Sequence, residues 1–393
     1  MPEIDQTHLP LIAGAGPVGL AAALFLARGG VPARIIERRQ HPSTQSRALA
    51  VNPRTLDLLE PTGVTAKMLE LGLPIRGGQF WRNGKVVAQV SFSELQHKYP
   101  FMLALSQATT ERLLEDALRD AGGSVERGVE LIDCRNKADH VDVEFRRGTA
   151  DGRAEHLTCP WLLGADGARS TARGMLGLAF EGSTLAREWH LADVPMETTL
   201  AEDHAHAFFL DDGAFVFCLR VIEDKNNSPK GAPLWRIIAN LPQPIERLEM
   251  ARAAGPAVWA SRFRIEHRIA ERLQEGHVFL AGDAAHVHSP IGARGMNLGI
   301  EDAWTFSRLL LEGQSQRYGP LRRKIDGRVV RQIERLTGIV RGESGMSRFI
   351  RRWLLPRAVG ISALRNRAIK TLTGLDHPLM AQPPSAVFEG SSK

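Results

Sequence analysis

Three stretches of the chain place chemistry-bearing residues at telling distances. The first is Gly14-Ala15-Gly16-Pro17-Val18-Gly19, with its glycines at the spacing of a dinucleotide-binding turn. Gly14 permits the tight turn, Gly16 leaves room for a pyrophosphate, and Gly19 lets a helix pack closely on the preceding strand. Pro17 and Val18 open that helix, whose N-terminus offers unpaired N–H groups and a positive dipole end to phosphates. Glu37 follows about 20 residues later, where a carboxylate accepts from ribose hydroxyls and disfavours a 2′-phosphate. Arg38 lies beside it in the same binding region.

The second stretch is Ala281-Gly282-Asp283, where an apolar strand delivers an acid at its carboxyl end, the ligand-binding end of an open α/β sheet. An aspartate there can accept from ribityl hydroxyls. Next comes Pro290-Ile291-Gly292-Ala293-Arg294-Gly295-Met296-Asn297, a Gly-rich loop entering a helix. Its N–H groups suit the N1–C2=O edge of an isoalloxazine, which becomes anionic on reduction. The third stretch, Gly164-Ala165-Asp166 through Arg173, also follows an apolar run. Alone it reads equally well as a turn and an N-capped helix. The first motif does not separate FAD from NAD; the three together point to FAD.

The elements needed to position these residues are legible. PLIAG, PVGLAAALFLARGG and ARIIE read as strand, helix and strand, the Gly pair stopping the helix. Asn83-Gly84 signals a hairpin. TTERLLEDALRDAGG is an amphipathic helix, strands dominate 124–162 and 186–241, and the last ~80 residues look helical. This order predicts an α/β fold. A Rossmann-like GxGxxG FAD-binding domain (1–75, 100–180 and 265–315) interleaves with a β-sheet substrate domain (76–99 and 181–264). A helical C-terminal region (316–380) and a disordered tail (381–393) follow.

Bulk properties narrow the class. The 393 residues are 43% hydrophobic and 24% charged, as in ordinary globular chains. No run suits a membrane span, and the start lacks a signal-peptide pattern, so a cytoplasmic location is expected. Cys134, Cys159 and Cys218 form no CxxC pair, which argues against disulfides and a metal site. The net charge of +6 is uneven: residues 317–370 hold fifteen Lys or Arg against three acids. A solvated helical face explains this, and so would a surface for anionic lipid or an acidic protein. FIRRWLLPRAVGI mixes basic and apolar residues like an interfacial helix, although Pro356 is expected to break it. No nucleic-acid motif accompanies the charge.

The three motifs occur in the order of the class A flavoprotein aromatic hydroxylases, and residues 9–375 resemble that 4-hydroxybenzoate hydroxylase-like family. Arg47 and Gln107 match the family's arginine soon after the acid and its glutamine opening a flavin-contacting helix. The length suits short members without an added thioredoxin-like domain. The resemblance implies that NAD(P)H reduces FAD and leaves, with Asp166 and Arg173 serving both cofactors. Reduced flavin then adds O2, and the C4a-hydroperoxide hydroxylates an aromatic ring, phenolic or polyketide-like. Pro290 matches the proline beside the flavin ring, its carbonyl toward substrate. His206, with His190 and His204 as other candidates, would act as base toward a phenol, and Arg220 would hold an anionic group. Two departures stand out. Tyr99 and Tyr318 do not fall where the 4-hydroxybenzoate enzyme has its paired tyrosines, and Ala293-Arg294 replaces a common Gly-Gln. An epoxidase, a Baeyer–Villiger oxygenase, a quinone-precursor hydroxylase, an NAD-dependent dehydrogenase and a non-catalytic flavin module remain as rival readings. A monomer or homodimer is expected.

Overall fold

The computed structural model describes residues 9–43, 48–148, 152–222 and 232–380. Arg47 and the tail 381–393, expected to be a cofactor contact and disordered, lie outside the described residues.

The first motif sits in a βαβ unit: β1 (Leu11–Ala13), α1 (Pro17–Arg28) and β2 (Arg34–Glu37). Leu20, Ala21, Leu24 and Leu26 of α1 are fully buried, because the helix is covered by the sheet and by the helices Gln107–Asp120 and Gly295–Leu311. Gly29 caps α1, and Gly30, at φ +81°, turns the chain toward β2.

β1 and β2 lie in a six-stranded sheet ordered Gln274–Glu275, Val278–Leu280, Leu162–Gly164, β1, β2, Val125–Arg127. Every pairing is parallel except that of the edge strand Gln274–Glu275. Ala13 lies opposite Gly164, and Gly164 opposite Leu280. All three motif-bearing strands therefore end at one level.

A nine-stranded sheet stands beside it, built from 77–91, 180–270 and the short strand His286–Val287. Its only parallel pairing among the described residues joins His204–Phe209 to Gly77–Arg82. The expected hairpin is present: Asn83 (φ +48°) and Gly84 (φ +69°) connect Gly77–Arg82 to Lys85–Ser91. His286–Val287 pairs with Trp259–Ala270 immediately after the Asp283 turn, so the chain passes there from one sheet to the other. Two three-stranded sheets complete the β structure: Val129–Asn136, Val141–Arg147 and Ala154–Cys159, and Ala50–Val51, Leu73–Ile75 and Met102–Ala104.

The C-terminal region is helical: Tyr318–Arg341, then Gly345–Gly360, then Ser362–Thr373. The middle stretch changes helix type just before Pro356, which falls in the first turn of a new helix, Leu355–Gly360. The π-turn Ile350–Leu354 precedes it, and at a first-turn position proline's missing amide costs no helical hydrogen bond. Among the described residues no helix is long and apolar enough to cross a membrane. The three cysteines are free and buried, and burial pushes the Cys134 and Cys159 thiols up to about 12.

Candidate active site

Backbone hydrogen bonds lock the three motifs together. The Ala165 amide donates to the Ala13 carbonyl (2.8 Å), the Ala281 amide to Gly164 (3.0 Å), and the Gly14 amide to Ile36 (2.8 Å). A Cβ on Gly14 would fall 2.4 Å from the Ala165 oxygen, and one on Gly19 would fall 1.9 Å from the Gly14 oxygen. At Gly16 a Cβ would meet nothing within 4 Å. Gly14 and Gly19 thus serve the packing of the chain, while Gly16 faces open space. Val18 wedges the motifs: Cβ atoms on Gly282 and Gly299 would lie 2.8 and 2.5 Å from its Cγ2.

Glu37 ends β2 with its carboxylate turned into the glycine turn. Its Oε2 accepts from the Ala15 amide (2.9 Å), and its Oε1 from the Arg39 amide (3.0 Å) and Arg39 Nε (2.9 Å). Burial works to raise its pKa, but the Arg39 contacts and the Ala15 amide outweigh this and hold it below the usual value. Arg39 is therefore the cation on this carboxylate, and both it and Arg38 are exposed. Gln107 opens the helix Gln107–Asp120 behind the N-cap Ser106. It accepts from the Ala48 amide (3.2 Å) and donates to Glu111 (2.9 Å), whose pKa burial pushes up.

In the second-sheet-facing turn, Asp166 Oδ2 accepts from the amides of Thr171 (2.7 Å) and Ala172 (3.2 Å), while its buried Oδ1 has no partner. Arg173 donates to the carbonyls of Ala284 (2.8 Å) and Ala168 (2.7 Å) and covers the Phe180 ring at 3.8 Å. It ties the Asp166 turn to the Asp283 turn.

Asp283 is exposed on a single 3₁₀ turn, Gly282–Ala284. Beyond it, Gly292 (φ +87°) and Ala293 (φ +52°) are successive left-handed residues, and the Ala293 amide donates to the Pro290 carbonyl (2.9 Å). Ala293 bears strain on the order of 1–2 kcal/mol to aim the loop. Leu298 supplies the first amide used within the helix Gly295–Leu311, so those of Gly295, Met296 and Asn297 project from its N-terminus. The Asn297 side chain braces the loop instead of facing a ligand: it donates to Ala50 (2.9 Å) and Ala293 (2.7 Å) and accepts from the Asn52 amide (3.0 Å).

Beneath this loop lies a buried ionic network that the sequence did not reveal. Asp302 accepts from the Gly282 amide (2.9 Å), His286 (2.8 Å) and Arg322 (2.6 Å), and Arg322 also donates to Asp326 (2.6 Å). Burial opposes ionisation of His286, but Asp302 and Asp326 outweigh it and raise the imidazole to about 9. Arg322 and His286 hold Asp302 low against burial, while burial pushes Asp326 up. The carboxylates and His286 stand close enough to ligate a metal, yet the Arg322 guanidinium already bonds both acids. His377, Glu301, Asp376 and Arg294 extend the network.

Of the two substrate-side expectations, His206 needs correction. His206 is fully buried, with Trp81 donating to its Nδ1 (3.1 Å) and its Nε2 bonded to the Ala201 carbonyl (2.9 Å). Burial lowers it to about 4. Both nitrogens are engaged within the sheet, so it is not placed to act as a base. Arg220 NH1 donates to the carbonyls of Val221 (2.6 Å) and Leu234 (2.7 Å), while its buried Nε makes no hydrogen bond and stands 3.5 Å from the Glu202 carboxylate. What meets the flavin-type loop is apolar. Ile291 packs against the cluster of Trp189, Phe209, Phe215 and Ile265, and Ala293 against the neighbouring cluster, with Phe80 and Phe217 shared by both.

Residues 9–317 match the family model described as FAD binding domain, which covers most of the chain. The chain belongs to the FAD-binding-domain family of class A aromatic hydroxylases. This flavoprotein is 38% identical to the 6-methylpretetramide 4-monooxygenase of Streptomyces rimosus over 78% of this chain and 56% of that one. It is 32% identical to the pentachlorophenol 4-monooxygenase of Sphingobium chlorophenolicum over 75% of this chain and 56% of that one. The flavoprotein thus spans less than two thirds of these curated relatives. The crystal structure of p-nitrophenol 4-monooxygenase from Pseudomonas putida DLL-E4 shares its fold, with a TM-score of 0.79, 23% identity, and coverage of 94% of this chain and 99% of that one.

FAD fits the residues present in this flavoprotein. The open space at Gly16 suits a pyrophosphate, the exposed Asp283 suits ribityl hydroxyls, and the projecting amides of Gly295–Asn297 suit an electron-rich ring edge. The orphaned Asp166 Oδ1 is a further acceptor at the junction of the motifs.

Proposed function

We propose that this chain is the core of an FAD-dependent monooxygenase that uses NAD(P)H and O2 to hydroxylate an aromatic compound, phenolic or polyketide-like. The observation that carries the reading is the alignment of Ala13, Gly164 and Leu280, which brings a pyrophosphate turn, an Asp166 turn and an Asp283 turn to one sheet edge. The interleaved division, with 1–75, 100–180 and 265–315 as the FAD-binding part and 76–99 and 181–264 as the substrate part, is part of the same proposal. So are a cytoplasmic location and a monomer or homodimer.

Bound FAD supplies the acceptance of hydride from NAD(P)H and the activation of O2. The chain supplies the rest. The turn from Gly14 to Gly19 and Glu37 would hold the ADP half, Asp283 the ribityl chain, and the start of the helix Gly295–Leu311 the ring. Asp166 and Arg173 would meet the nicotinamide cofactor. The apolar side chains around Ile291, Phe80 and Phe217 would exclude water and receive a flat ring, with the Pro290 carbonyl beside it. The relatives named for a pretetramide and a chlorinated phenol support an electron-rich aromatic substrate.

The test is a screen of phenols and aromatic polyketides for compounds that speed NAD(P)H oxidation by the FAD-loaded protein. Mass spectrometry then looks for a product heavier by one oxygen atom. A protein that binds no FAD, or that oxidises NAD(P)H with no oxygen transferred to any compound, overturns the reading.

A further inference from the structure

The helical stretch Gly345–Gly360 is turned the opposite way from a helix that packs only on its own chain. Its buried members are polar, Ser347 and the cation Arg351. The Arg351 guanidinium donates to the carbonyls of Gly213 (3.2 Å) and Ala214 (3.0 Å) and lies 4.6 Å from the Phe209 ring. Four of its large apolar members face outward, Met346 (68% exposed), Phe349 (51%), Trp353 (45%) and Leu354 (48%), while Val359 packs inward on the core. Ile361 (53%) and Leu364 (48%) continue the surface. Of the twelve large apolar side chains exposed among the described residues, six therefore fall within 346–364, so this is a patch and not scatter.

The charge on this surface is net positive, with Asp211 near Arg352 and Glu94 on Arg365 as acids from neighbouring elements. Residues 344–375 contain seven Lys or Arg and no Asp or Glu. Arg351 is internal and Arg365 pairs with Glu94 (2.9 Å), which leaves Arg348, Arg352, Arg357, Arg367 and Lys370 exposed. Arg352 and Arg357 each stand 5.5 Å from the Trp353 ring. An indole between two guanidinium groups, with phenyl and aliphatic side chains beside it, has the make-up of a segment lying in a lipid interface.

The charge also decides between occupants. A second copy docked by two-fold symmetry would set an excess of cations against itself, since Asp211 is already paired with Arg82 and Glu94 with Arg365. An anionic leaflet satisfies both features: phosphates meet the cations, and the acyl boundary takes Trp353, Phe349 and Met346. We propose that the surface formed by residues 346–364 docks on an anionic lipid membrane. The proposal does not depend on the reaction catalysed.

The test uses the FAD-loaded full chain with vesicles of phosphatidylglycerol and phosphatidylcholine, and with phosphatidylcholine alone, reading bound protein by sedimentation. Binding to the anionic vesicles is expected, with little to the zwitterionic ones, and high salt should weaken it. The double variants F349S/W353S and R352Q/R357Q should each lower binding on the order of tenfold, and R252Q, which removes an exposed charge elsewhere, should not. Circular dichroism and FAD content report that each variant is folded. Failure to sediment with anionic vesicles, equal binding to phosphatidylcholine alone, or full binding by F349S/W353S overturns the proposal. A dimer by light scattering that F349S/W353S converts to monomer also overturns it and assigns the patch to a second copy.

Discussion

The amide of Gly282 donates to the carboxylate of Asp302 at 2.9 Å, so the turn that presents Asp283 is held by a residue twenty positions later, inside the helix whose start faces the cofactor site. One carboxylate thereby sets the distance between the turn and the helix. Asp302→Ala leaves Arg322 and His286 buried without their main partner, a loss on the order of 3–5 kcal/mol. Asp302→Asn keeps the shape and one acceptor. It should fold, and its FAD dissociation constant should rise about tenfold or more in a fluorescence titration. Wild-type affinity in a folded Asp302→Asn protein would show that the tie does not position the turn.

The same network predicts a pH dependence. His286 is raised from 6.5 to about 9, so its stabilising contribution is fully present below pH 6.5 and is lost as pH rises through about 9. Asp326 is also raised, from 3.8 to about 8, and adds to the fall with rising pH. Asp302 is depressed to about 2, so its contribution is lost only as pH falls from 3.8 through that value. The melting temperature should decline between pH 6.5 and 9, and His286→Gln should flatten the decline. An unchanged slope in that variant removes His286 as its origin.

Gly16 and Gly19 should separate binding from folding. A Cβ at Gly16 meets open space, so Gly16→Ala should keep the apoprotein's melting temperature while weakening FAD tenfold or more. A Cβ at Gly19 lies 1.9 Å from the Gly14 oxygen, so Gly19→Ala should destabilise the apoprotein itself by about 1–3 kcal/mol. Chemical denaturation without added flavin distinguishes them, and a destabilised Gly16→Ala would refute the assignment of that space to the pyrophosphate.

Asp283 is exposed on its turn, so Asp283→Ala should fold yet lose FAD. Removing a charged hydrogen-bond acceptor from a ligand costs about 1.5–3 kcal/mol, roughly 10- to 150-fold in affinity. Flavin occupancy after gel filtration measures it, and full occupancy is the result that excludes the role.

His206→Phe removes a ring bonded at both nitrogens within the large sheet. It should lower stability by about 1–3 kcal/mol and leave the pH profile of substrate-stimulated NAD(P)H oxidation unchanged. Loss of a basic limb from that profile would restore His206 as the base.

The glycine turn, the hairpin at Asn83-Gly84, the helix opened by Gln107 and the mixture of a parallel α/β sheet with a larger antiparallel one were legible, because each rests on neighbours in the chain. Backbone freedom at Gly14 or Gly84, a cap at Ser106 and the apolar content of a strand act over a few residues. Arg38 and Arg39 show where that reach ends. Both follow Glu37, and only the exit angle of β2 decided that Arg39 turns back onto the carboxylate. Position 356 is similar, since the proline opens a new helical segment after a π-turn and the chain stays helical on both sides of it.

By itself, then, the order of residues determined a flavin-type nucleotide cradle, its three turns and the class of fold. Only the tertiary structure decided what supports the cradle and what faces the substrate. His286, Asp302 and the i,i+4 pair Arg322–Asp326 are separated from one another by 16 to 20 residues or more and become partners through helix packing. The roles of His206 and Arg220 depended on strand register, which determines whether a polar side chain is spent inside the sheet or left free.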